Sequence, residues 1–301
     1  MDNLLKAHMP TKQLVLYGAL LACFAILYRN VIVKLIHDWS VDENYSHGYL
    51  VIPVALYFVW DRRERLRNSS WRPSWLGLLV VLGSIALLLG GVLGAEVFTT
   101  EISMLGVIGG TVLFLCGWNH LKLLLFPIAF LITMIPLPTI FFNQITFPLQ
   151  ILASKFGESL LVASQIPVLR EGNLIYLANT TLEVTEACSG IRSLITMLSL
   201  GVVYGYFMDQ RNWVRTVLAL ATFPFAILAN GLRVAGTGAA AYWYDPSVAH
   251  GFLHTFSGWL LFVTAFIMLL ITHKAMVWIS PSRNAPVAPS QGRKVVYSIE
   301  P

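Results

Sequence analysis

The run WLGLLVVLGSIALLLGGVLG, residues 75–94, carries no charged side chain. As a helix it would be about 30 Å long, the thickness of a bilayer's hydrocarbon core. It is one of a series. Apolar runs near 14–33, 46–60, 75–94, 102–118, 122–141, 190–207, 214–234 and 252–272 predict about eight helical spans. The chain has 301 residues, is 56% hydrophobic and only 12% charged, and its mean hydropathy is +0.70. Soluble domains carry about 25% charged residues, so the expected fold is an all-α polytopic membrane protein with the lipid bilayer as its main partner. The net charge of +5 is spread along loops and does not make a nucleic-acid surface. Cys23, Cys116 and Cys188 are too few and too scattered for a disulfide framework or a zinc site. Neither a metal nor a cofactor is implied.

At the N-terminus, Lys6 and Lys12 precede LVLYGALLACFAILY. There is no small-x-small cleavage site, and further spans follow, so this segment reads as an uncleaved first span. Residues 142–189 break the pattern, with Pro148, Pro167, Lys155, Glu158, Arg170 and Glu171. The stretch 144–164 is expected to be an interfacial helix. The alternating, Thr- and Val-rich NLIYLANTTLEVTEA is expected to form a short β hairpin on the outer face. The domain division is then 1–279 for the membrane domain and 280–301 for a disordered cytoplasmic tail.

Orientation follows from the basic residues. The loop DRRERLRNSSWR holds Arg62, Arg63, Arg65, Arg67 and Arg72 and is expected on the cytoplasmic side. Threading outward from it puts both termini in the cytoplasm. Ten of the fifteen acids, Glu101 and Glu186 among them, then fall on the other side.

This threading brings three chemically active residues to one membrane boundary. Cys188 precedes the sixth span, Arg233 closes the seventh in LANGLRVAG, and His254 opens the eighth in HGFLHTFSGW. A thiol at a helix N-terminus has its pKa lowered by the dipole and the unpaired N–H groups, and only the thiolate is a good nucleophile. An imidazole in a first turn is kept neutral by the same dipole, as a base requires. A guanidinium at a helix C-terminus is stabilised there and can meet a developing oxyanion, an interaction typically worth roughly 3–4 kcal/mol in the transition state. Cys, His and Arg are the parts needed for acyl transfer through a thioester. Each also has an ordinary structural reading: a packed thiol, a snorkelling arginine, an interfacial histidine. Gathering at one face rather than at mid-membrane argues against a transporter.

The motifs together resemble the exosortase/archaeosortase family of membrane cysteine transpeptidases. EACSGIRSL is similar to that family's cysteine motif, NGLRV to its arginine motif and HTFSGW to its histidine motif, while NYSHGYLVIP at 44–53 resembles a fourth. The resemblance implies an EC 3.4.22-like cysteine peptidase at the periplasmic face of the bacterial inner membrane. Its partners would be secreted proteins with a PEP-CTERM signal: a Pro-Glu-Pro motif, a transmembrane helix and a basic tail. The acceptor amine is unspecified, and such systems are linked to exopolysaccharide production. Cys188 would be the nucleophile, Arg233 the oxyanion or substrate ligand, and His254 the general acid/base. The short tail after the last span argues against the extra periplasmic domain that some members carry.

Further residues are candidates for substrate binding. Arg170 or Arg192 could hold the signal's glutamate, or either could sit in a structural ion pair. His47 could line the same cleft or simply pack. Asn230, three residues before Arg233, could orient the guanidinium or bridge helices. Glu186 could pair with Arg192, orient His254 or stay exposed. His250 is the rival to His254. The competing function is a non-enzymatic membrane component of exopolysaccharide export, in which Cys188 is incidental.

Overall fold

The computed structural model describes residues 11–42, 44–184, 191–244 and 252–280; at 11–14, 17, 191–193, 252–258 and 261 the description is of the backbone alone. The chain is helical almost throughout. The helices are α1 (Thr11–Leu27), α2 (Arg29–Val41), α3 (Gly48–Asp61), the short α4 (Arg63–Arg67), α5 (Trp75–Leu93), α6 (Val97–Leu115), α7 (Trp118–Phe130), α8 (Thr139–Ala163), α9 (Ile191–Met208), α10 (Asn212–Trp243) and α11 (Phe252–Ile279). A 3₁₀ turn, Leu131–Met134, extends α7, and three short strands follow α8.

Four described helices are long and apolar enough to cross a membrane, or up to six if each of two bent pairs counts as one span. This is a polytopic membrane protein, and the count falls below the eight expected. Two expected spans are broken. The first bends by 66° between α1 and α2. The fifth, expected to run to residue 141, stops at the 3₁₀ turn, because Pro136 and Pro138 cannot continue a helix through IPLP. The chain then turns by 80° into α8, one 25-residue helix that absorbs the stretch expected to lie in the interface. A further apolar helix, α3 at Gly48–Asp61, is short. At 1.5 Å per residue its 14 residues cover only about 20 Å, whereas the 18 of α9 reach about 27 Å.

Three packed groups hold the molecule together. In the first, α2, α3, α6 and α7 bury Tyr28, Leu35, Trp39, Phe58, Met104 and Phe130 among their neighbours. Against it stands the α5–α6 hairpin, built on small residues. A Cβ on Gly77 would meet the Phe114 backbone nitrogen at 2.2 Å, and one on Gly110 would meet Val81 at 2.9 Å. Backbones approach this closely because lipid tails give no hydrophobic reason for helices to associate, so contact must come from fit. The second group is α9, α10 and α11, locked by Met197, Ala229 and Ala265 and, further along, by Val214, Leu218 and Leu269.

The third group lies beyond the bundle. Strands β1 (Val168–Glu171), β2 (Leu174–Leu177) and β3 (Thr181–Glu183) form an antiparallel sheet in that order, with Arg170 opposite Ile175 and Ile175 opposite Leu182. Gly172 turns the first hairpin at φ 62°, a conformation glycine takes without strain. The sheet's inner face, α8 and the end of α10 enclose a separate apolar core of Ala153, Leu161, Ile166, Ile175, Leu177, Val184, Val234 and Ala235.

Candidate active site

Arg233 sits on α10 where the helical bundle gives way to this sheet-bearing cap. The expectation that it ends its helix is corrected by the structure. At 32 residues α10 is about 48 Å long, well beyond a bilayer core. It runs ten residues past Arg233 to Trp243. The helix dipole acts within the last turn and so does not stabilise the guanidinium. The extension persists because its sequence, VAGTGAAAYW, offers small residues to a partner. Val234, Ala235, Gly238 and Ala241 are buried, and Gly238 faces Leu161 and Leu182. The Asn179 side-chain amide donates to the Ala241 carbonyl (2.8 Å), satisfying an acceptor that the helix end leaves open.

Arg233 itself is half-buried. Its neighbours are tightly placed: a Cβ on Gly231 would strike the Phe156 ring and one on Gly157 would meet Val234 at 2.7 Å. Asn230, one turn earlier on the same face, is fully buried.

Helix register relates Arg233 to the other motifs. Taking Met197, Ala229 and Ala265 as one level, Arg233 is four residues on along α10, about 6 Å at 1.5 Å per residue. Ile191, where α9 begins, lies six residues from Met197 in the same direction, about 9 Å. His254, the third residue of α11, lies eleven residues from Ala265, again the same way, about 16 Å. The start of α9, Arg233 and the start of α11 therefore belong to one end of this three-helix group. Arg192 and His254 are described by backbone only, and Cys188, Glu186 and His250 lie outside the described residues.

Arg170 is engaged within the cap. Its Nε donates to Glu158 of α8 (2.7 Å) and its Nη1 to the Gly172 carbonyl (2.8 Å). The Ser154 hydroxyl donates to that same carbonyl (3.0 Å). Together these clamp the β1–β2 hairpin onto α8.

His47 is placed by the break between α7 and α8. An interrupted helix leaves backbone groups without partners. Three side chains from the α2–α3 region meet them. Trp39 Nε1 donates to Met134 O (2.9 Å), His47 Nε2 lies 3.0 Å from Thr133 O, and Leu137 N donates to the Tyr45 hydroxyl (2.9 Å). A carbonyl only accepts, so His47 carries its proton on Nε2. Burial pushes the His47 pKa below its ordinary value, partly opposed by the Thr133 carbonyl. Beside the break, Asp38, Asp42, Tyr45, Leu137 and Asn143 line an open cavity of about 360 Å³.

Glu101 also departs from expectation. Read from the sequence as an acid of the outer loops, it is fully buried within α6, and its carboxylate has no hydrogen-bond partner among the described residues. The signal was visible as a lone acid inside the run VFTTEISMLGVIGG.

A helical membrane protein with a sheet-bearing cap at one end is the class that this geometry defines. The family model for transmembrane exosortases matches residues 39–271, and the chain belongs to that family. The match takes in all four quoted motifs. Comparison with curated proteins and with solved structures gives no match.

Proposed function

We propose that this chain is a membrane cysteine transpeptidase or protease that cleaves C-terminal PEP-CTERM-type sorting signals through a thioacyl-enzyme. The observation that carries the reading is the family match across EACSGIRSL, NGLRV and HTFSGW. The shared end of α9, Arg233 and α11 supports it, since residues acting on one peptide bond must meet. The substrate's own transmembrane helix docks from the bilayer, and its motif enters between the helix ends beneath the cap. The Cys188 thiolate attacks the peptide carbonyl carbon. Arg233 donates to the oxyanion of the tetrahedral intermediate. As the C–N bond breaks, the His254 imidazolium protonates the departing amine, leaving a thioester on Cys188. An acceptor amine, or water, attacks the thioester; neutral His254 takes the attacker's proton and the thiolate leaves.

Arg192, near the start of α9, is the candidate partner for the signal's glutamate, because Arg170 is already held by Glu158. Asn230 and Glu186 are assigned to positioning, and His47 to supporting the scaffold. The enzyme lies in the bacterial inner membrane with its site on the periplasmic face and both termini in the cytoplasm. The basic residues between α3 and α5 support that orientation, and surface sorting alongside exopolysaccharide production is the setting.

The test is co-expression with a tagged protein bearing a Pro-Glu-Pro C-terminal signal. Wild type shortens the substrate on a gel and Cys188→Ala does not. Equal processing by both removes Cys188 as nucleophile, and a silent Cys188→Ala in an export assay would favour a non-enzymatic role.

A further inference from the structure

The opposite end of the molecule carries a second built feature. The ends of several helices meet there through specific contacts. The Tyr206 hydroxyl of α9 donates to Asp61 at the end of α3, Arg211 before α10 reaches the Ser280 carbonyl after α11, and Arg72 bridges to Gly117. Between α3–α4 and the α9–α10 turn lies an open cavity of about 700 Å³. Arg62, Arg65 and Arg215 line it, and none of them is ion-paired with a carboxylate among the described residues. Two acids share the wall: Asp61, whose carboxylate accepts from Tyr206, and exposed Glu64.

Two of the guanidiniums are rigidly held. Arg215 donates to the Asp209 and Tyr206 carbonyls (2.6 and 3.0 Å), which end α9. Arg62 donates to the Phe58 carbonyl (3.1 Å) and lies over the Phe126 and Tyr206 rings at 5.1 and 5.0 Å. Three guanidiniums against two carboxylates leave this wall with an excess of positive charge, and fixed forks suit phosphate oxygens. One side of the same cavity is apolar and open, formed by Tyr57 and Phe207, which are 41% and 49% exposed on the apolar helices α3 and α9. Exposed tryptophans at these helix ends, Trp60, Trp75, Trp118, Trp213 and Trp278, mark the level of the headgroups.

We propose that this cavity binds the phosphate headgroup of an anionic glycerophospholipid. Arg62, Arg65 and Arg215 hold the phosphate, and an acyl chain runs down Tyr57 and Phe207. The amphipathic wall is what selects a lipid over a free phosphate, since a soluble anion has no use for the apolar side. The site lies at the other end of the bundle from Arg233 and does not depend on the catalytic reading.

The experiment is thermal unfolding of the detergent-purified full chain, titrated with phosphatidylglycerol, phosphatidylcholine or inorganic phosphate. Phosphatidylglycerol should raise Tm by several degrees in a saturable way; the other two should not. Arg62→Gln with Arg65→Gln should abolish that shift, while Arg67→Gln, outside the cavity, should keep it. Arg65→Glu alone, at an exposed position, serves if the double variant fails to fold and should weaken the lipid at least tenfold. Equal stabilisation by phosphatidylcholine, or an unchanged shift in the variants, overturns the proposal. Stabilisation by inorganic phosphate alone would make this a soluble-anion site and overturn the lipid assignment.

Discussion

Tyr45, Trp39 and His47 show how single side chains make a broken membrane helix tolerable. Each meets one backbone group at the α7–α8 break. Away from water, a backbone N–H or C=O left unpaired costs about 1–3 kcal/mol. Tyr45→Phe should therefore lower stability by about that amount, because Leu137 N loses its acceptor, and thermal unfolding in detergent would read it. His47 adds a pH dependence of definite sign. Its folded pKa lies below its unfolded value, so its contribution is complete above about pH 6.5 and falls away as the pH drops through the folded value. His47→Gln, which keeps a donor, should flatten the acid side of the stability profile. Asp209 shifts in the same direction for a different reason, stabilisation of its charged form. Its bonds to Arg211, chiefly, hold the carboxylate pKa down to about 2, so the pair persists until strongly acid pH. At the residue scale the sequence identified His47 as notable, but not its bond. The partner is 86 positions away, on a turn whose existence depends on Pro136 and Pro138.

Elements meet through glycines, and the glycines differ. Gly157 of α8 faces Val234 of α10 so closely that an added Cβ would stand 2.7 Å from a branched methyl. Gly83 of α5 has nothing within 4 Å. Gly157→Ala should cost about 1–3 kcal/mol by pushing α8 off α10, whereas Gly83→Ala should be neutral or slightly stabilising. Because Gly157 packs on Val234 and Gly231, which flank Arg233 in the chain, substrate processing by Gly157→Ala should fall more than its protein level does. If Gly83→Ala loses as much stability, the packing account is wrong. The quoted motifs were readable because each places polar residues at the edge of an apolar segment. The length of α10 was not. Past Arg233 the chain turns from strongly apolar to small and weakly polar, which reads as the end of a span. It remains helical only because α8 and the sheet cover it.

Across the whole molecule, the sheet of the cap packs on α8 through a shared apolar core, and the Arg170–Glu158 ion pair ties its first hairpin there. Glu158→Arg should loosen the β1–β2 hairpin, and so should Arg170→Glu. Combined, the two substitutions should recover much of the loss, a pattern that hydrogen exchange or limited proteolysis of residues 168–183 would detect. Substrate processing should follow the same order if the cap shapes the cleft. No recovery would mean that the pair does not hold the hairpin. Composition and hydropathy alone determined that the chain is a polytopic helical membrane protein, because twenty uncharged apolar residues have few other stable settings. Four short motifs in order determined its family. Only the tertiary structure decided where spans break, how far α10 runs, that Arg170 is paired and that Glu101 is buried. Those outcomes depend on which distant surface covers each segment. Hydropathy reports each residue's cost in lipid and carries no record of its eventual neighbours.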